Sequence, residues 1–262
     1  MMVAENPRTG LWLIAILTIA SSLSLLFIEP IPQDISYHLF SDVKPAFGIP
    51  NFWNVLSNIA FAVVGILGLY NIYVSKSLVL IDSIRLSYAL FFAGVSLVAL
   101  GSGYYHLWPD NQTLVWDRLP MTIAFMALFS ILICEFISER VGKVLLIPLI
   151  LVGIASVFYW GYTEDQGVGD LRLYALVQFL PIVIIPVILV FFSSQFTKIS
   201  GYWLLLLVYL AAKAFEHFDA QIFSALGFIS GHSLKHIAAA LGTYLLLLSY
   251  QRRLQLKPKH QN

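Results

Sequence analysis

Apolar stretches of about 20 residues, the length a helix needs to cross a bilayer, recur along almost the whole chain. They fall near 11–28, 51–73, 84–107, 114–137, 143–161, 171–192, 201–218 and 231–250. A helix satisfies its own backbone hydrogen bonds, so such a repeat suits lipid better than water. Composition decides the matter. The 262 residues are 59% hydrophobic and 11% charged, against about 25% charged in an ordinary soluble domain. The expected fold class is therefore all-α, a polytopic transmembrane helical bundle. The links between stretches are short and carry turn and cap signals such as "PDNQT" and "EDQGVGD", which leaves no room for a second soluble domain.

Other function classes are excluded early. A net charge of +1 offers no basic face for nucleic acid. Cys134 is the single cysteine, so there is no internal disulfide and no thiolate metal cluster. Basic residues in short loops mark the cytoplasmic face. With eight crossings, ten of the 15 Lys and Arg fall on the side of the N-terminus and five on the other. Both termini are thus expected in the cytoplasm, with the opposite face periplasmic, extracellular or lumenal. The first stretch is expected to be a retained helix (1–30), because "LLFIEP" lacks the small-x-small pattern of a cleavage site. Residues 251–262 read as a basic cytoplasmic tail that meets anionic headgroups.

Polar residues, costly inside a membrane, gather at one depth. The third stretch ends in "GSGYYHLW", with Ser102 and His106; the fourth opens in "TLVWDRLP", with Asp117; the last opens in "SGHSLKH", with His232 and His236. All five lie at the non-cytoplasmic ends. Residues four apart share a helix face, so His232 and His236 point the same way, as do Ser102 and His106. Two imidazoles one turn apart and a third from another helix make a three-histidine metal site with one open position, the arrangement of a catalytic zinc. Zinc suits imidazole, although ligand type admits other transition metals. Asp117 could then handle a proton and Ser102 an oxyanion. The same residues could equally hydrogen-bond between helices or carry protons, and Ser102 could simply be a small packing residue. Glu216, His217 and Asp219 read as a wet helix end, Glu164, Asp165 and Asp170 as solvated loop residues, and His38 and His260 as poor ligand candidates.

Four segments together, "NFWNVLSN" (51–58), "SGYYH" (102–106), "WDRLPMTIAFM" (116–126) and "GHSLKHIAAA" (231–240), resemble the alkaline ceramidase family. That family sits within a superfamily of membrane hydrolases that includes the adiponectin and progestin receptors. The resemblance implies a seven-helix core (31–250) preceded by one extra N-terminal helix. It implies zinc held by His106, His232 and His236, with Ser102 and Asp117 as the polar partners of the site. It also implies hydrolysis of the amide of an N-acyl sphingoid-like membrane lipid to a fatty acid and a long-chain amine. The sequence departs from eukaryotic members at "FSDVKPAFGIPNFWN". Asp42 is the one carboxylate there, which argues against a calcium site of their kind and resembles bacterial members. A bacterial inner membrane, with the site toward the periplasm, follows as the expected location.

The expectation is a zinc-dependent membrane amidohydrolase, with an acyl chain entering from the bilayer and water reaching the metal from the non-cytoplasmic side. The alternative is a receptor-like lipid-binding protein with a structural metal and no turnover. A transporter would need polar residues across the full depth, and they cluster at one end.

Overall fold

A computed structural model of the chain describes residues 6–256. Each expected stretch is helical, and regular structure among these residues is helical apart from two isolated β-bridges. In chain order the helices are α1 (Pro7–Ser24), α2 (Phe52–Leu56), α3 (Ile59–Tyr73), α4 (Arg85–Leu107), α5 (Asn111–Leu132), α6 (Glu139–Asp165), α7 (Arg172–Phe191), α8 (Ser200–His217), α9 (Asp219–Leu226) and α10 (Gly231–Arg252). Five segments, Phe52–Tyr73, Asp82–Leu107, Asn111–Ile137, Glu139–Asp165 and Arg172–Phe191, are long and apolar enough to cross a membrane. The ends of α8 and α10 carry Lys213 and Glu216, and His232, Lys235 and His236. Those groups lower the average apolarity of helices that also frame the site.

Helix α4 packs between α3 and α5, α6 against α5 and α7, and α10 between α8 and α3. Helices α7 and α8 follow one another in the chain yet scarcely touch, and a Gln178–Tyr209 hydrogen bond of 3.3 Å spans them. Helix α1 stands outside this ring and leans on α7, with Gly10 buried against Phe191 and Phe192. It ends at Ser24, four residues short of the expected stretch, and Arg172 donates to the carbonyls of Leu25 and Ile28 that follow it.

Small residues set how closely the central helices approach, as membrane packing requires. A Cβ on Gly101 would sit 2.0 Å from the Trp116 carbonyl oxygen, so α4 and α5 meet backbone to backbone. That contact adjoins Ser102 on one helix and Asp117 on the other. The start of α5 is fixed by a capping box. Asp110 Oδ1 accepts from the Thr113 amide at 2.7 Å, and Thr113 Oγ1 accepts from the Asp110 amide at 3.2 Å.

At its C-terminal end α5 widens into a π-helical turn, Ile133–Ile137, that aims Glu135 inward. Tyr88 and Tyr202 donate to its two oxygens at 2.6 and 2.9 Å, and Arg253 Nη1 pairs with it at 2.8 Å. Arg253 Nε also donates to the Val79 carbonyl at 2.7 Å, and its guanidinium lies 3.8 Å from the Phe196 ring centre. Arg253 is thus only 2% exposed, a correction to the expectation that it meets anionic headgroups as part of a basic tail; Lys257, Lys259 and His260 lie outside the described residues. The clamp joins α4, α5, α8 and the end of α10.

Removing one member of a buried pair strands the other charge, at a cost of about 3–5 kcal/mol. Arg253→Ala should therefore lower the thermal midpoint of detergent-purified protein by several degrees, as read by intrinsic fluorescence. An unchanged midpoint would mean that the clamp contributes nothing to stability.

Candidate metal centre

The three histidines come from two helices. His106 sits in the last turn of α4, and His232 and His236 occupy successive turns at the start of α10. They are 1%, 6% and 5% exposed. Their ring centres lie 4.8–5.0 Å apart, and one nitrogen from each falls within 4.8 Å of the others. His106 Nε2 and His232 Nε2 are 3.3 Å apart. Two nitrogens bound at ~2.05 Å to a tetrahedral zinc are separated by about 3.3 Å. Donor chemistry and spacing therefore fit a divalent transition ion held by three neutral imidazoles.

The chain also supports one of the imidazoles, His236, from behind, as metal-binding histidines require, whereas the buried Nδ1 of His106 has no partner. Ser57 Oγ donates to the Asn54 carbonyl at 3.2 Å and lies 2.9 Å from His236 Nδ1. A serine hydroxyl whose proton goes to Asn54 can accept from Nδ1–H, and that tautomer would leave the Nε2 lone pair of His236 for a metal. Asn54, fully buried, accepts from Ser233 Oγ at 2.7 Å and donates to the Asp42 carbonyl at 3.0 Å. Asn51, in a left-handed conformation (φ 47°) that asparagine tolerates, donates to the His106 carbonyl at 2.8 Å. The polar residues of "NFWNVLSN" thus fasten α2 to both histidine-bearing helices.

The start of α10 is capped from a distance. Asp219 Oδ1 accepts from the His232 amide at 2.6 Å, and Oδ2 accepts from the Ser41 amide at 3.1 Å. Burial pushes the Asp219 carboxyl up, but the hydrogen bonds from Ser41 and the His232 amide outweigh it and hold the group below its ordinary range. A Cβ at Gly231 would lie 2.1 Å from the Phe215 carbonyl, so this end of α10 docks directly on the end of α8.

A cavity of about 340 Å³ runs from this cluster toward the C-terminal end of α5. Its polar end is formed by Ser102, Asp117, Arg118, Lys213, Glu216, Lys235 and His236, and its far end by apolar residues with Tyr202. The structure places Ser102 and Asp117 on one cavity wall with His236, whereas His106 and His232 stand behind it. Residues of α7 and α8 face each other across this space.

Several expectations change here. The Phe40 ring lies 4.7 Å from the His106 ring and 4.8 Å from the His232 ring and is 8% exposed, so it packs over two of the three imidazoles. Glu216 is no wet end: it accepts from Lys213 at 2.7 Å and Lys235 at 2.5 Å beside the cavity. Asp170, expected to be solvated, is 3% exposed and pairs with Arg172 at 2.7 Å. Glu164 accepts from the Gln33 amide and the Trp160 indole at 2.6 and 2.9 Å. His38 lies apart from the triad, 2.9 Å from the Tyr105 hydroxyl and from Asn111 Oδ1.

The sequence assigns no role to Asn51, Asn54, Ser57 and Arg118, and reads Asp219 as part of a wet helix end. A signal existed for the first three: polar residues three apart at the start of an apolar stretch share a helix face, and such residues demand partners. No local pattern ties Asp219 to His232, because the pairing depends on how α9 folds back.

The family model described as Ceramidase matches residues 47–262. No curated protein sequence matches the chain. The matched stretch holds all three histidines, Ser102 and Asp117, and leaves Phe40, Asp42 and α1 outside it.

Loss of a partner behind a metal-bound histidine costs about 10–100-fold in affinity. Ser57→Ala should therefore weaken zinc binding by about that factor in a chelator competition, while His236→Ala should abolish it. Equal zinc retention in all three proteins would exclude the triad as the binding site.

Proposed function

The chain belongs to the ceramidase family, and from that premise we propose that it is a zinc-dependent integral membrane hydrolase. It cleaves the amide of a ceramide-like N-acyl lipid into a fatty acid and a long-chain amine. The family implies hydrolysis of a ceramide amide; the zinc, the lipid substrate and the residue roles are our reading. One observation carries it: three buried imidazoles cluster together, and one of them, His236, lines a largely apolar internal cavity whose polar end also holds Ser102 and Asp117.

A zinc ion held by His106, His232 and His236 would supply Lewis acidity and lower the pKa of water. Asp117 then takes a proton from the attacking water and returns it to the amide nitrogen as the C–N bond breaks. Ser102, on the facing helix, donates a hydrogen bond to the carbonyl oxygen as negative charge develops there. The acyl chain lies along the apolar walls toward Tyr202, and the narrow seam between α7 and α8 gives it a route from the bilayer. The volume of about 340 Å³ falls at the small end of ordinary ligand cavities, about 300–1,000 Å³.

The catalytic unit in this reading spans residues 31–250 with α1 as an added helix. Both termini are cytoplasmic and the site faces the periplasm of a bacterial inner membrane, as the distribution of basic residues favours.

Asp117→Asn should retain about one zinc per chain yet lose turnover by about 10²–10⁴-fold, measured by mass spectrometry of laurate released from an N-lauroyl lipid. Full activity in that protein would remove Asp117 from the mechanism. Tight lipid binding with no product in wild type would favour the receptor-like alternative.

A further inference from the structure

One charged group at the cavity is not accounted for by that chemistry. Arg118 follows Asp117 on α5, is 6% exposed and lines the same space. Its Nη2 donates to Gln33 Oε1 at 2.5 Å, but its Nη1, fully buried, has no hydrogen-bond partner. The guanidinium carbon lies 4.1 Å from the Trp160 ring centre and 4.6 Å from that of Tyr174. Those two rings accommodate the charge but offer no acceptor in the plane of the guanidinium. No carboxylate forms a salt bridge with it among the described residues. A guanidinium cannot shed its charge as a lysine can, and an unpaired cation at membrane depth marks a site where a partner binds.

The charges around it point the same way. The cavity lining holds three cations, Arg118, Lys213 and Lys235, against two carboxylates, Asp117 and Glu216. Glu216 already engages both lysines, and Asp117 is assigned to the reacting amide. The remaining cation is Arg118, and its fork of donors matches a planar oxyanion.

We infer that the substrate's amine half carries an oxyanion, in its simplest form a carboxylate, received by Arg118 at the polar end of the cavity. The substrate class is then the N-acyl amino acid rather than the N-acyl amino alcohol. This rests on the amide-hydrolase reading above, and puts an amino acid in place of the long-chain amine as the second product. A neutral hydroxyl could accept one hydrogen bond from Nη1, but would leave the buried charge uncompensated.

The test uses zinc-loaded, full-length protein in neutral detergent and two matched pairs of ligands. N-lauroylglycine and N-lauroylethanolamine serve as substrates, and their ketomethylene isosteres, which cannot be hydrolysed, serve for calorimetric binding. Wild type should bind the acidic isostere about tenfold or more tightly than the neutral one, as a charge-assisted pair requires. Arg118→Gln should reduce that ratio to near unity, and Arg118→Lys should keep part of it. Equal affinities in wild type would overturn the inference without any variant and leave Arg118 a structural residue. A preference that survives Arg118→Gln would also overturn it. Laurate provides a further arm: if the variant weakens laurate alone and leaves the isostere ratio intact, Arg118 receives the product acid and not the amine half. Hydrolysis separates the two readings. Binding preference without release of laurate from either amide would sink the hydrolase and keep the oxyanion site, whereas equal kcat/KM for both amides with equal affinities would do the reverse.

Discussion

The arrangement depends on burying three imidazoles within about 5 Å of one another, where neither water nor lipid can serve their nitrogens. Unmet hydrogen-bonding groups are expensive in such surroundings, so the segments around the end of α4 and the start of α10 are organised about them. Ser57 serves His236, Asn51 binds the His106 carbonyl, and Asp219 caps the helix that carries His232 and His236. Gly231 removes the side chain that would hold α10 away from α8. The histidines are therefore held in a metal-ready geometry by contacts that involve no ion.

A second polar cluster balances the first at the C-terminal ends of α5 and α10. Glu135, Arg253, Tyr88, Tyr202 and Tyr250 satisfy one another there, whereas the outer cluster leaves donors and lone pairs unused. That contrast separates a structural network from a working one. Closed networks rigidify; open ones need an ion or a ligand to complete them. The cavity lies between the two, with Tyr202 of the inner clamp forming part of its end wall. Chain length in an occupant is thus limited by the same residues that tie the bundle together.

How much of this was legible from sequence varied with the range of the interaction. The helices were, because apolar length and short links are local properties; observed and expected boundaries differ by only a few residues along α4, α7, α8 and α10. The histidine triad was, because an i, i+4 pair fixes two of its members on one face and shared depth recommends the third. Arg253 was misread as part of a tail because its sequence neighbours are basic, while its partner Glu135 lies more than a hundred residues away. Phe40 offered no signal, since a lone aromatic near a membrane end is ordinary, and its seat over two imidazoles comes from the path of the segment before α2.

The sequence by itself determined that the chain is helical and membrane-bound in character, and that its ligand-type side chains sit at one depth. Hydrophobic run length and helical period act over a few residues and suffice for that. The tertiary structure alone brings Ser57 to His236 Nδ1, seats Phe40 over two imidazoles and sets Arg118 beside the cavity with a donor unused. Each of those depends on where a distant segment lies to within a fraction of a hydrogen bond's length, and close packing of whole helices alone sets that.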